Sequence, residues 1–178
     1  MPVMASKVEG DGSMRESDYL TGRNFLLAKF KKLPFLGSID EQYLRKIISL
    51  SKLKIYADQE IITQEGSHDS WVFILLSGEV KIVKEEKVLA HLHKTGDTFG
   101  EMAMIDGKNR SASVYAIGET LCLAFDGAFL DTVEERERLS FYAIFYHLFA
   151  EILAERLRIT NAELVAVKQE LDHLKAPA

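Results

Sequence analysis

The chain has 178 residues, of which 47% are apolar, and its formal net charge is −5. This size and composition fit one compact domain with a short appendage, and the acidic balance argues against direct binding of nucleic acid or an anionic membrane. The one cysteine, Cys122, lies in an apolar run that predicts a buried thiol in a reducing compartment, and no stretch reaches the roughly 20 apolar residues of a bilayer span, so we expect a cytoplasmic chain.

The N-terminal part of the sequence predicts a tail followed by helices. Residues 1–17 are rich in Gly, Ser and charge and are expected to be a mobile tail. Within residues 18–52, apolar residues recur at helical spacing until Pro34 ends the run. Ser38-Ile-Asp-Glu41 has the pattern of a capping box that opens a second helix. We therefore expect N-terminal helices in residues 18–52.

Residues 53–126 predict a β domain. Short segments rich in β-branched and aromatic residues follow one another, separated by turn residues. Ser77-Gly78 and Gly118-Glu119 are expected to be tight turns, and Glu85-Glu-Lys87 a hairpin tip. Seven or eight such strands predict a small antiparallel barrel or jelly roll. The predicted strands are Lys54–Tyr56, Glu60–Gln64, Trp71–Leu76, Glu79–Lys84, Val88–His93, Ser113–Ile117 and Thr120–Phe125.

Residues 127–178 predict a C-terminal lid and dimerisation helix. The run from about Leu139 to Leu174 would be about 50 Å long at 1.5 Å per residue. Steps of three and four residues form a heptad seam, which favours a coiled coil in a homodimer. The alternative is that the helix packs on its own barrel and Thr160 is an ordinary polar residue. The seam comprises Tyr146, Ala150, Leu153, Leu157, Thr160, Leu164, Val167, Leu171 and Leu174.

The segment from Gly96 to Val114 carries the residues that suit an anionic ligand. Gly100 lets the backbone approach an anion closely, and the helical turn expected after it would present free N–H groups to a phosphate. Arg110 supplies a planar fork of donors that matches two oxygens of a cyclic phosphate. Glu101, beside this positive site, is expected to accept a hydrogen bond from a ribose hydroxyl, and Ser111 to reach the phosphate or the base.

These residues resemble the phosphate-binding cassette of the cyclic-nucleotide-binding domain family. Phe99-Gly100-Glu101 is followed, after about eight residues, by Arg110-Ser111-Ala112, as in the family pattern. The resemblance extends over roughly residues 33–126. It implies a mainly β fold, a double-stranded β-helix (jelly-roll) barrel with N-terminal helices and a long C-terminal helix. It is similar to the sensor domain of catabolite activators without their helix-turn-helix, so direct DNA binding is not expected.

The resemblance also implies roles for individual residues. Glu101 would bind the ribose 2′-hydroxyl, Arg110 the phosphate, and the amides near Gly100 and Ala103 the remaining phosphate oxygens. In catabolite activators the long helix pairs two subunits and reaches the adenine, which implies base contacts for Thr160 and Asn161, one of them across a dimer. The full predicted ligand-binding set is Phe99, Gly100, Glu101, Met102, Ala103, Arg110, Ser111, Ala112, Thr160 and Asn161.

The sequence therefore predicts a signalling receptor for a cyclic mononucleotide, with cAMP favoured over cGMP, that switches a protein effector or its own dimer geometry. No cofactor, catalytic residue or metal ligand is predicted, since His91 and His93 lack a third ligand and His68-Asp-Ser70 is expected to be a loop. One alternative is a scaffold in which Glu101 and Arg110 form a salt bridge in a degenerate pocket. Another is a phosphodiesterase, which the cassette disfavours because it offers no nucleophile.

Overall fold

The structure is a computed structural model that describes residues 14–20, 26–33 and 36–175. The described residues group into two compact units, one that extends to Phe141 and one that begins at Tyr142. The predicted division of the chain into segments that end at residues 17, 52 and 126 stays a prediction. The elements in chain order are β1 (Arg15–Glu16), α1 (Leu27–Phe30), α2 (Glu41–Ser49), β2 (Ser51–Tyr56), β3 (Ile61–Thr63), β4 (Trp71–Lys84), β5 (Lys87–Leu92), β6 (Thr98–Phe99), α3 (Glu101–Asp106), β7 (Ser113–Asp126) and α4 (Glu135–Lys175).

The first unit is built on one antiparallel sheet with the strand order β1-β2-β7-β4-β5, in which β3 also pairs with β7 and β6 with β4. The central pair, β4 and β7, is joined from Trp71 opposite Asp126 to Val83 opposite Ser113. Apolar side chains from β2, β4, β6 and β7 form its buried core. This confirms the predicted mainly β fold with flanking helices and a long C-terminal helix. The members of the core are Tyr56, Phe73, Leu75, Val80, Phe99, Val114, Ala116, Cys122 and Ala124.

Cys122 lies in this core, as the sequence predicts. Its side chain is fully buried in β7, and burial raises the pKa of its thiol to about 12. The thiol therefore stays protonated, and unreactive as a nucleophile, at physiological pH.

The tight turns predicted at Ser77-Gly78 and Gly118-Glu119 are wrong. β4 and β7 run through these residues, and the pairing between them shifts register on both sides of Ser77. Gly78 and Gly118 have positive φ angles, of 91° and 65°, and several types of tight turn also require a positive φ. Within a long strand, however, such angles produce a bulge and a bend instead of a chain reversal.

The end of the predicted N-terminal tail is a strand. Arg15 pairs with Ile55 and Glu16 with Lys54, because the edge of β2 offers backbone groups that need partners. Leu20, a few residues on, is buried. Residues 1–13 lie outside the described residues, so mobility there stays a prediction.

The N-terminal helices differ in detail from the prediction. The described part of the first helix is only Leu27–Phe30, and residues 21–25 lie outside the described residues. The capping box at Ser38 is wrong, because residues Leu36–Ser38 form a 3-10 turn and α2 begins at Glu41, with Asp40 at its N-cap. The buried face of α2 is Leu44, Ile47 and Ile48, as its spacing predicts.

The second unit consists of α4 from Tyr142 onward. Most of the predicted seam is exposed on it, with Leu157 60%, Leu164 49% and Val167 60% accessible. Nowhere in residues 14–20, 26–33 and 36–175 does a helix combine the length and the hydropathy of a membrane span.

The bend in β4 leads to a prediction. An alanine Cβ at Gly78 would lie 2.6 Å from the carbonyl oxygen of Glu119 and 2.8 Å from the Cα of Thr120. We expect Gly78→Ala to lower the free energy of unfolding by about 3 kcal/mol, measured by urea titration. Gly118→Ala is the matched control, because its Cβ would meet no atom within 4 Å, and we expect it to cost about 1 kcal/mol. Equal losses would contradict the close packing at the bend.

Candidate functional site

The cassette predicted from the sequence forms a strand, a left-handed glycine and a short helix. Phe99 is buried in β6 and stacks on Phe73, with ring centroids 5.1 Å apart. Gly100 follows with a φ of 85°, and α3 then runs from Glu101 to Asp106. The predicted helical turn at Glu101–Ile105 is therefore confirmed to within one residue. It places Glu101 and Ala103 in the buried part of α3.

The guanidinium of Arg110 is the centre of the site. Its side chain is only 3% exposed and forms an ion pair with Asp69. Nε donates to Asp69 Oδ2 at 3.1 Å, Nη1 donates to the carbonyl oxygen of Gly100 at 2.7 Å, and Nη2 donates to Asp69 Oδ1 and to the carbonyl oxygen of Trp71. Counted over the described residues, these bonds engage four of the five N–H donors of a guanidinium and leave one N–H of Nη1 for another acceptor.

Arg110 has an acidic partner that the sequence did not predict. The Nε–Nη2 edge of its guanidinium faces the carboxylate of Asp69, and the contact of Arg110 with phosphate oxygens stays a prediction. A buried cation needs a compensating charge, and a carboxylate matches the fork of an arginine as well as a phosphate does. The edge that remains for a ligand is the one formed by Nη1 beside Gly100.

Asp69 and Trp71 are the site residues that sequence reasoning missed. The segment His68-Asp-Ser70 is a loop, as predicted, but Asp69 has a specific role in it. Its Oδ1 also accepts from the amide of Trp71 at 3.1 Å. Backbone bonds fix the same loop, since Gly66 N donates to Arg110 O at 2.9 Å and Arg110 N donates to Ser67 O at 2.8 Å. An acidic residue just before a strand was the available signal.

The other cassette residues surround α3 and the start of β7. Glu101 is 1% exposed, so its carboxyl group lies inside the protein. Met102 is 46% exposed, and the Ser111 hydroxyl lies 3.6 Å from its sulfur. Ala112 is half-buried.

The structure thus brings together the predicted site residues from Phe99 to Ala103 and from Arg110 to Ala112. Thr160 and Asn161 belong to the second unit, where both are exposed on α4. Their predicted base contacts stay a prediction.

His91 lies in β5 and His93 just after it. His91 Nδ1 lies 2.7 Å from Glu79 Oε1. Across residues 14–20, 26–33 and 36–175, no three His, Cys, Asp or Glu side chains are grouped as metal ligands would be.

Comparison with known proteins agrees with this geometry. Residues 53–137 match the family described as Cyclic nucleotide-binding domain. The chain is 32% identical to cGMP-dependent protein kinase 2 of Homo sapiens over 67% of its own length, and 29% identical to the cAMP-dependent protein kinase regulatory subunit of Blastocladiella emersonii over 56%. A crystal structure of a cyclic nucleotide-binding domain from Methylobacillus flagellatus superposes with a TM-score of 0.69, at 20% identity, and covers 86% of this chain and 89% of that one.

The curated relatives are much longer than this chain. The matched region spans 16% of the human kinase and 26% of the Blastocladiella subunit. The matched region of the chain therefore corresponds to one module of these proteins, and the structural likeness at 20% identity shows the fold.

The close approach of Gly100 and Arg110 leads to a second prediction. An alanine Cβ at Gly100 would lie 2.5 Å from Arg110 Nη1 and 2.7 Å from the carbonyl oxygen of Trp71. We expect Gly100→Ala to displace the guanidinium and to lower the free energy of unfolding by about 3 kcal/mol. Gly107→Ala, at the other end of α3, has no atom within 4 Å and should cost about 1 kcal/mol. Thermal unfolding of both variants measures the difference, and an undisturbed Gly100→Ala protein would show that the site tolerates a side chain there.

Proposed function

Residues 53–137 belong to the Cyclic nucleotide-binding domain family, and we propose that this chain is a receptor for a cyclic mononucleotide. The observation that carries the proposal is the buried guanidinium of Arg110. Asp69 aligns it, and it lies beside Gly100 at the start of α3. Because Asp69, Gly100 and Trp71 hold the guanidinium in place, it would lose little conformational freedom when a ligand binds. A binding site prepared in this way suits a receptor that binds a ligand present at low concentration.

The residues support a division of roles within the ligand. Asp69 already compensates the charge of Arg110. Hydrogen bonds from N–H groups that point at the ring phosphate would therefore contribute more to its binding than the net charge of the site. These groups are the remaining N–H of Nη1 and the backbone amides from Gly100 to Ala103. Glu101, as a hydrogen-bond acceptor, would bind the ribose hydroxyl, since a carboxylate beside a phosphate is repelled unless a hydroxyl lies between them.

We propose cAMP as the preferred nucleotide and cGMP as the alternative. Ser111 does not separate the two bases, because its exposed hydroxyl suits either. The preference rests on residues 155–161, which resemble the adenine-reading stretch of catabolite activators. The relatives include both cGMP-dependent and cAMP-dependent kinase proteins, so a direct comparison of the two affinities decides.

We propose binding without turnover. The described residues around the phosphate site supply amides, a guanidinium and a carboxylate, and none of them is a nucleophile paired with a general base. Cyclic nucleotide incubated with the protein is therefore expected to stay intact. The output would be a contact with a protein effector or a change in dimer geometry in the cytoplasm.

A ligand-free scaffold is the second candidate, and one observation favours it. Arg110 is 3% exposed, and most of its donors are engaged inside the protein. If this state is the only one, Arg110 stabilises the fold and no nucleotide binds.

Thermal unfolding with each nucleotide separates the two candidates. At 100 times the dissociation constant, a ligand that binds only the folded state adds about 2.7 kcal/mol of stability. We expect this shift for the wild-type chain. It should be lost in Arg110→Lys, which keeps the charge without the planar fork. It should be reduced in Glu101→Gln, which keeps the shape but replaces one acceptor oxygen by a donor. His91→Gln, on β5, is the control that should keep the shift. No shift with either nucleotide supports the scaffold.

The exposed seam of α4 supports a homodimer, with the helix of a second copy as its partner. Leu164 lies on the predicted seam and is 49% exposed, whereas Val165 is 53% exposed and lies off it. We expect Leu164→Glu to convert the dimer to a monomer in light scattering, because it places a charge in the apolar interface. Val165→Glu should leave the dimer intact. A monomeric wild-type chain would remove the proposal.

A further inference from the structure

Lys54, in β2, is a buried cation that lies outside the proposed phosphate site. Its side chain is only 11% exposed, and its Nζ lies 4.2 Å from the centroid of the Trp71 ring and 3.5 Å from Glu16 Oε2. A buried ammonium group needs such partners, and an indole face is the strongest aromatic one. Lys54 therefore joins the N-terminal strand to the first residue of β4.

Trp71 is in contact with the phosphate site on its backbone side. Its amide donates to Asp69 Oδ1 at 3.1 Å, and its carbonyl oxygen accepts from Arg110 Nη2. Trp71, whose ring contacts the ammonium group of Lys54, thus forms hydrogen bonds to both members of the Asp69–Arg110 ion pair. A shift of Trp71 changes the position of the guanidinium as well.

The N-terminal strap, residues 14–20, supplies the other end of this connection. Glu16 accepts from Lys52 at 2.8 Å in addition to its contact with Lys54, and the amides of Ser17 and Leu20 donate to the carbonyl oxygens of Leu53 and Ser51. Partial burial raises the pKa of Glu16, but the hydrogen bonds and charges of the two lysines outweigh it and hold the pKa below its usual range. The only strand in the described part of the strap is the two-residue β1, at the edge of the sheet. Short edge elements of this kind open locally at a low free-energy cost.

We infer that Glu16 and Lys54 are positioning residues for Arg110, which act through Trp71 and couple the docking of the N-terminal strap to the affinity for the ligand. With the strap docked, Glu16 holds Lys54 over Trp71, and Trp71 holds the guanidinium in place. Coupling between two sites is reciprocal, so an occupied phosphate site would also favour the docked strap. The inference rests on the proposed function for its ligand, but the contacts themselves do not.

The chain offers a matched control for Lys54. Lys52 has the same strand face and the same partner, Glu16, but its Nζ lies over Tyr19, at 4.8 Å, and not over Trp71. Calorimetric titration with cAMP and cGMP is performed on wild type, Lys54→Met and Lys52→Met. We expect Lys54→Met to weaken binding about fivefold, within the range for residues that modulate coupling. Lys52→Met should change it less than about twofold, because Glu16 then keeps its contact with Lys54 and the strap keeps its backbone bonds to β2. Equal effects of the two variants would overturn the inference.

Two further measurements separate positioning from simple stabilisation. In urea unfolding, Lys54→Met should lower stability less in the Arg110→Lys background than in wild type, because the group that it positions is gone; full additivity would count against the inference. Hydrogen exchange of the Ser17 and Leu20 amides needs no nucleotide. It should accelerate in Arg110→Lys, relative to the Leu75 amide, whose acceptor is Asp97 O. If wild type binds neither nucleotide, only the proposed function fails, and unchanged strap exchange in Arg110→Lys would then refute the coupling itself.

Discussion

The bonds of the Arg110 guanidinium to Asp69, Gly100 and Trp71 are the constraint on which the rest of the site depends. A buried cation is costly unless charge and hydrogen bonds compensate it, so each of these partners must stay in place. Position 100 must be glycine, because the guanidinium occupies the space of a Cβ. The loop before β4 must close on Arg110 through backbone bonds. The geometry of the candidate site thus follows largely from the hydrogen bonds and the charge compensation that the buried Arg110 requires.

The long strands bring Asp69 and Arg110 together only because they bend. Asp69 precedes β4 and Arg110 precedes β7, and these positions lie at opposite ends of the ladder, since Trp71 pairs with Asp126 and Val83 with Ser113. A straight strand of 14 residues would separate its ends by roughly 45 Å. The bends at Gly78 and Gly118 therefore connect the fold to the site: without them the carboxylate and the guanidinium could not meet.

Much of the fold and part of the site follow from the sequence. Segments rich in β-branched and aromatic residues predicted most strands, and the pattern from Phe99 to Ala112 predicted the cassette with Glu101 and Arg110. The burial of these two side chains was not predicted. The sequence could not distinguish a tight turn at Gly78 from a bend, because glycine permits the same φ in both. It also could not identify Asp69 as the partner of Arg110 or Glu16 as that of Lys54. Such pairs join residues 41 and 38 positions apart, which only the folded chain brings into contact.

Nuclear magnetic resonance of the Arg110 side chain tests the central claim most directly. The Nε–H group of Arg110, which donates to Asp69, is observed together with the amides from Gly100 to Ala103 while cAMP is added. The account predicts that these resonances shift together and reach saturation at the same nucleotide concentration. A saturating shift confined to other parts of the chain, or resonances of Arg110 that stay unchanged at millimolar nucleotide, would contradict it.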